Sequence, residues 1–408
     1  MDRTVWDLAL GSLVGALAGC ASALFLHLLD RAITLQKAQG WLLYTLPLLG
    51  ALSAWIYQRW GGEAERGGSL ILDEVVEFRG RVPVRMAPLV LAGTLLTHLG
   101  GGSAGREGTA IQMGAGLATG VGRLAAGAQR LGWSWLGLNA SRQRLLLMAG
   151  VSGGFGSLFG TPAAGAVFGM EVITIGHLRY EGLLVCAAAS FAGDGVCRLL
   201  GGHHPHWMPA APALDWALGL KLLAFALPAA LVAGAFSEAT HALAAWTRRV
   251  LPHPSLRAFA GGCAVVLLAL LFGRDYLNLG TDWLPQVLFP EAPVAPWAFA
   301  LKFLFTTVTL GFGFKGGEVT PLFVIGALLG AALAPLLGMP VPFTAAVGYV
   351  TVFAAASNTP VASVIMGVEL FGAAFAGPLV LTGFLAYVLV GHRGIYGGHR
   401  VQTSKKGL

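Results

Sequence analysis

The sequence predicts an all-α polytopic membrane protein of two inverted halves with tilted and broken helices. Three observations predict it: a shortage of charge, a run of uncharged stretches, and a repeat shared by the two halves. Of 408 residues, 56% are hydrophobic and 11% are charged, against about 25% charged in an ordinary soluble domain. A soluble protein of this length covers its surface with charge, so lipid replaces water around much of this chain. The 59 glycines follow no collagen period and lie among Leu, Ala and Val, where they mark helices that approach closely or break.

Candidate spans follow the charge-free stretches 8–29, 38–58, 86–105, 145–170, 222–237 and 258–273, and then a long apolar end. Between Glu318 and Arg393 lie 74 residues in which Glu369 alone is charged. Several stretches are too short, or too rich in Gly and Pro, for one straight crossing of about 20 residues. Some helices should therefore enter only halfway. No small-residue cleavage pattern stands apart from the first span, so the N-terminus is expected to be retained. Basic clusters at Arg79, Arg81 and Arg85, at Arg142 and Arg144, and at Arg400, Lys405 and Lys406 assign those loops to the cytoplasmic side. The net charge of +7 thus speaks to topology, and no nucleic-acid partner is expected. Cys20, Cys186, Cys197 and Cys263 form no C-x-x-C pair, which indicates neither disulfides nor a metal site.

The repeat relates TPAAGAVFGME at 161–171 to TPVASVIMGVE at 359–369, an offset of 198. A weaker echo at offset 211 relates Glu107 and Thr109 in GREGTAIQMGAG to Glu318 and Thr320 in GEVTPLFVIGA. Two halves that repeat a broken-helix pattern are the mark of a secondary transporter with its site at the repeat interface. The halves divide as 1–200 and 201–408, two membrane repeats with no soluble regulatory domain.

Thr-Pro opens an apolar run at 161–162, 320–321 and 359–360. Thr caps helices well and Pro suits their first position. Such starts inside the bilayer would turn free N–H groups and positive dipole ends towards an anion; at the membrane surface they would be ordinary helix starts. Four acids stand in otherwise apolar sequence: Glu107, Glu171, Glu318 and Glu369. A carboxylate at membrane depth is costly, which makes each a functional candidate. Glu107 and Glu318 lie in glycine-rich breaks where a side chain can swing into a pathway, whereas Glu171 and Glu369 lie in regular helix and read as caps of neighbouring backbone. Arg106 and Lys315 stand beside the first two, able to neutralise them, to draw anions inward, or to serve structure alone.

GVSGG at 150–154 matches the G-x-S-G pattern of intramembrane serine proteases, with His98 or His241 as the base that Ser152 would need. Four residues in so glycine-rich a chain carry little weight. A cation/proton antiporter would rest on buried Asp, and the apolar segments here hold Glu and helix starts that suit an anion better.

GREGTAIQMGAG, GTPAAGAVFGMEV, GGEVTPLFVIGALLG, NTPVASVIMGVEL and a lone Tyr396 together resemble the CLC family of anion channels and proton-coupled antiporters, in order and spacing over almost the whole chain. Thr109 stands where the family's gating motif usually has Pro, and Glu318 and Val319 where it usually has apolar residues. Both departures resemble the fluoride/proton antiporter branch. Val172 stands where chloride/proton antiporters carry an internal proton-handling glutamate. The resemblance implies that Glu107 is the gating, proton-accepting glutamate and that backbone around Gly108, Glu318 and Val319 lines the anion site. It implies that Glu318 and Thr320 assist proton transfer and fluoride binding, with Thr109 at the site and Tyr396 on the inner path. The family's first motif is placed at Gly68 and Ser69 in RGGSLILDE. The implied function is fluoride export in exchange for protons across a bacterial inner membrane by a homodimer, with chloride/proton antiport or a chloride channel as the alternative. No enzymatic activity, cofactor or metal is expected.

Overall fold

The computed structural model describes residues 3–131, 139–289 and 294–405; Lys406 of the third basic cluster lies outside them. The first repeat runs α1 Arg3–Ala38, α2 Leu46–Trp60, α3 Gly68–Val76, α4 Met86–Leu99, α5 Glu107–Arg130, α6 Ala140–Phe159, α7 Pro162–Glu171 and α8 Leu183–Leu199. The second runs α9 Trp216–Val250, α10 Pro254–Phe272, α11 Trp283–Leu288, α12 Ala298–Gly311, α13 Val319–Leu337, α14 Val341–Ser357, α15 Pro360–Phe371 and α16 Ala376–Leu389. The two series share a rhythm: each opens on a long helix of 36 or 35 residues and has a 14-residue helix in fourth place. Packing repeats as well, with α5 on α6 as α13 is on α14, and α1 on α8 as α9 is on α16.

Glycine and proline break the helices where the uncharged stretches predicted trouble. The stretch 145–170 is two elements, because Gly160 takes a left-handed φ of 70° and closes α6, and Pro162 then opens α7. The stretch 86–105 holds only the 14 residues of α4, followed by a buried glycine loop. Where helices stay whole, glycine lets them touch. A Cβ on Gly114 would strike the carbonyl of Gly150 across the α5–α6 contact, and one on Gly326 would strike that of Gly348 across α13–α14.

A ring cluster joins the repeats. Phe155 of α6 stacks on Phe168 of α7 at 4.1 Å, and Phe323 of α13 on Tyr349 of α14 at 4.2 Å. Phe159 meets Phe323 edge-on at 5.3 Å. The basic clusters share one face: Arg81 pairs with the buried Glu74 of α3, Arg144 reaches the Val76 carbonyl, and the parallel pair β1 Thr174–Ile175 and β2 Arg400–Val401 brings in the tail.

The firmest tie between repeats is a reciprocal cap. Both oxygens of Glu171, the last residue of α7, accept the Val361 and Ala362 N–H groups at the start of α15, at 3.0 and 2.7 Å. Glu369 of α15 accepts Ala163 and Ala164 at the start of α7, at 3.0 and 2.9 Å. Each helix start thus has free N–H groups met by carboxyl oxygens. Glu171→Ala leaves two amides without an acceptor in a site 8% exposed and should lower stability by about 3 kcal/mol. A thermal melt of the detergent-solubilised protein checks this, with Glu171→Gln, which keeps one acceptor oxygen, falling between.

Candidate functional site

Two helices begin at the centre of the molecule, one from each repeat, and their preceding glycine loops lie side by side. Gly105 donates to the Gly317 carbonyl at 2.5 Å, and Gly317 donates back at 2.7 Å, an antiparallel bridge between the repeats. Only glycine fits here. A Cβ on Gly317 would lie 2.8 Å from the Gly108 nitrogen, and one on Gly105 would lie 2.9 Å from both the Gly317 oxygen and the Glu107 carboxylate. The bridge sets the starts of α5 and α13 against each other.

Glu107, fully buried, turns across that gap. Its Oε2 accepts the Thr320 N–H at 2.9 Å and the Arg106 N–H at 3.1 Å, and its Oε1 accepts the Thr320 hydroxyl. The Arg106 guanidinium stands 3.6 Å from Oε1. The carboxylate therefore occupies a cradle of backbone N–H, hydroxyl and positive helix end, the donor set that a small anion needs. Thr320 also receives the Arg106 N–H on its oxygen at 3.3 Å.

A cavity of about 280 Å³ reaches Gly108 and Gly317, the neighbours of this buried carboxylate. Its wall includes Gly68 and Ser69 at the start of α3, Gly108 of α5, Gly317, Glu318 and Val319 at the start of α13, and Tyr396. The Tyr396 hydroxyl is buried and bonds to no protein group. Glu318 holds the N-cap position of α13 without capping it, so its carboxyl is left for the cavity. A second cavity, of about 220 Å³, also reaches Glu318, past Tyr57, His241 and Lys315.

Thr109, expected at the site, lies on neither cavity wall. Its hydroxyl bonds to that of Thr94 at 2.7 Å, which ties α5 to α4 and turns the side chain away from the cavity. The N-terminal turn of a helix sends successive side chains to different faces, and position 109 faces its neighbour helix. At the Thr161 and Thr359 starts the N–H groups are met by the Glu369 and Glu171 carboxylates, and neither start lines the two cavities at Glu318. Arg106 serves Glu107 through backbone and charge, whereas the Lys315 ammonium lies over the Tyr57 ring at 4.0 Å. No Ser-His pair forms: His98 sits at Asn278, 3.4 Å away, and no histidine among the described residues bonds to Ser152.

Three contributors were missed in the sequence. Gln112 lines both cavities, and its place one turn beyond Gly108 on α5 was the available signal. Arg66 stands at the cavity wall, two residues before α3. Lys302, fully buried in α12, donates to the Ser103 hydroxyl at 2.9 Å and to the Tyr276 and Asn278 carbonyls at 3.1 and 2.8 Å. With Thr309, whose hydroxyl accepts the Ser103 N–H at 3.1 Å, it anchors the loop that delivers Glu107.

Gly317→Ala should cut transport at least about tenfold by parting the two helix starts, while the purified protein remains monodisperse on size exclusion. Wild-type rates in that variant would show that the bridge does not shape the site.

Residues 49–391 match the voltage gated chloride channel family. Over 407 residues the chain is 41% identical to a chloride/fluoride channel protein of Pseudomonas syringae pv. tomato, covering 98% of this chain and 87% of that one. Among solved structures it is similar to a CLC-type fluoride/proton antiporter, with a TM-score of 0.90 at 34% identity, covering 97% of this chain and 98% of the other. A slow cyanobacterial chloride/proton antiporter shares the fold, with a TM-score of 0.80 at 20% identity over 97% of each chain.

Proposed function

The chain belongs to the voltage-gated chloride channel (CLC) family, and from that premise we propose that it is a secondary transporter exporting fluoride in exchange for protons. One observation carries the reading: the Glu107 carboxylate sits in the anion cradle formed by Arg106 N–H, Thr320 N–H and the Thr320 hydroxyl. An ionised carboxylate competes with an anion for these donors. Once protonated it is a weaker acceptor and carries no charge, so it yields the cradle to fluoride. Proton occupancy and anion occupancy then exclude each other at one place, and exchange follows from that competition.

Fluoride is small and strongly hydrated, so dehydrating it requires short, strong donors. Backbone N–H and the Thr320 hydroxyl supply them. Glu318 at the head of the cavity supplies a second carboxyl which, when neutral, can donate to the anion. The similarity to a fluoride/proton antiporter at 34% identity supports the fluoride reading, as does Val172 in place of an internal acid. The second reading, a chloride-conducting protein, is favoured by the name chloride/fluoride channel carried by the Pseudomonas relative. The proposal includes a homodimer with one pathway per subunit in a bacterial inner membrane. The face bearing Arg81, Arg144 and Arg400, onto which the Tyr396 segment and the Arg66 end of the cavity open, is then the cytoplasmic one.

Side-by-side fluoride and chloride efflux from proteoliposomes, with pH recorded, tests the reading: fluoride efflux should be the faster and should move protons inward. Chloride efflux at least as fast as fluoride would favour the second reading. Glu107→Gln cannot titrate and should abolish proton movement driven by a fluoride gradient; protons still pumped by that variant would remove Glu107 from its role. Glu318→Ala should weaken fluoride transport per folded protein far more than Glu369→Ala, whose carboxylate caps α7; equal effects would undo that distinction.

A further inference from the structure

The chain beyond α16 folds back under the cavity as a strap, and we propose that Lys405 is the latch whose seating positions Tyr396 in the anion path. The inference rests on the reading of Tyr396 as part of that path.

Lys405 is only 5% exposed although it lies in a tail of otherwise exposed residues. Its ammonium donates to the Asn358 side-chain oxygen at 2.5 Å, the Tyr387 carbonyl at 2.7 Å and the Gly391 carbonyl at 2.5 Å, and stands 3.5 Å from the centre of the Tyr387 ring. An ammonium has three N–H donors, and all three are used. Three oxygens and a ring face form a cage suited to a cation; an apolar side chain of equal length would leave those oxygens without a donor.

The cage is built into the membrane core rather than into the tail. Asn358 caps α14 in a left-handed conformation, φ 59°. Its amide nitrogen donates to the Arg393 carbonyl at 3.0 Å while its oxygen holds Lys405. One side chain thus grips the strap at both ends. Between the grips the Ile395 N–H reaches the Ala356 carbonyl at 2.9 Å, the His399 ring meets the Val172 carbonyl at 2.7 Å, and β2 pairs with β1. Ile395, Tyr396 and Gly397 form cavity wall inside this loop.

Tyr396 has no tether of its own, since its hydroxyl bonds to no protein group. Its place opposite Gly108 and Val319 is set by the strap, and the strap is closed by the ammonium. Lys405 touches no part of the cavity and acts through Tyr396, which makes it a positioning residue.

The test measures initial fluoride efflux against fluoride concentration in proteoliposomes. Tyr396→Ala comes first: if its KM is that of wild type, the reading of Tyr396 fails, and the latch has nothing to position. If Tyr396→Ala raises KM, Lys405→Met should raise it about tenfold with little change in maximal rate, through displacement of the ring by of order 1 Å. In the Tyr396→Ala background the same substitution should add nothing. Lys405→Cys, made in protein lacking the exposed Cys20 and Cys263, should share the defect and lose it after alkylation with 2-bromoethylamine, which rebuilds a lysine-like ammonium. A wild-type KM for Lys405→Met, an additive effect with Tyr396→Ala, or no recovery on alkylation would each overturn the latch. So would collapse of both Lys405 variants on size exclusion, because a latch on the tail must leave the helices assembled.

Discussion

A carboxylate set against the start of a helix inside the bilayer is the interaction on which this molecule turns. The first amides of a helix have no partners of their own, and in lipid there is no water to supply them. Thr-Pro stands at three helix starts, as N-cap and first residue of α7 and α15 and as second and third residues of α13, and at each a glutamate from elsewhere in sequence accepts an open N–H: Glu369 at α7, Glu171 at α15 and Glu107 at α13. The chemistry is the same each time. What differs is access. Glu171 and Glu369 lie within regular helix and hold each other's starts as a two-way clamp, whereas Glu107 opens α5 directly after a glycine loop, next to the Gly108 and Gly317 wall of a cavity.

The clamp and the Glu107 contact depend on each other through the geometry of the repeats. The Gly105–Gly317 bridge can form only if the two broken loops approach backbone to backbone, and the crossed caps of α7 and α15 help hold the halves at that separation. Behind the bridge, Lys302 and Thr309 fix the loop before Glu107 from one side. Thr97 bonds to the Lys315 carbonyl at 2.7 Å and holds the loop before Glu318 from the other. The donors around the Glu107 carboxylate are thus held from both repeats.

Much of this was legible because charge is so scarce. Glu107 and Glu318 stood out in glycine-rich breaks, and Glu171 and Glu369 stood out at matched places in regular helix. Spacing alone ranked the first pair as machinery and the second as caps, and the contacts of Glu171 and Glu369 are caps. Thr109 was less legible, since a residue two positions from Glu107 shares its helix but not its face. The Thr-Pro starts at 161 and 359 read like the one at 320, because sequence shows that amides are free and not what comes to meet them. Lys302 passed unnoticed and Lys405 read only as part of a basic cluster for a related reason: a lysine reads as a loop or snorkelling residue until its cage of oxygens, drawn from distant segments, is assembled around it.

The sequence by itself determined the solvent, the broken helices, the two-fold repeat and the acids worth attention, because each depends on composition or on neighbours along the chain. The tertiary structure decided which carboxylate meets which helix start, that Thr109 faces α4, and that the tail closes on Asn358. Those are pairings across some 50 to 210 residues, apart from the Thr94–Thr109 contact, and no local propensity encodes them. The carboxylate pairings follow from the two repeats packing in opposite senses, which brings the start of one broken helix within reach of an acid carried by another.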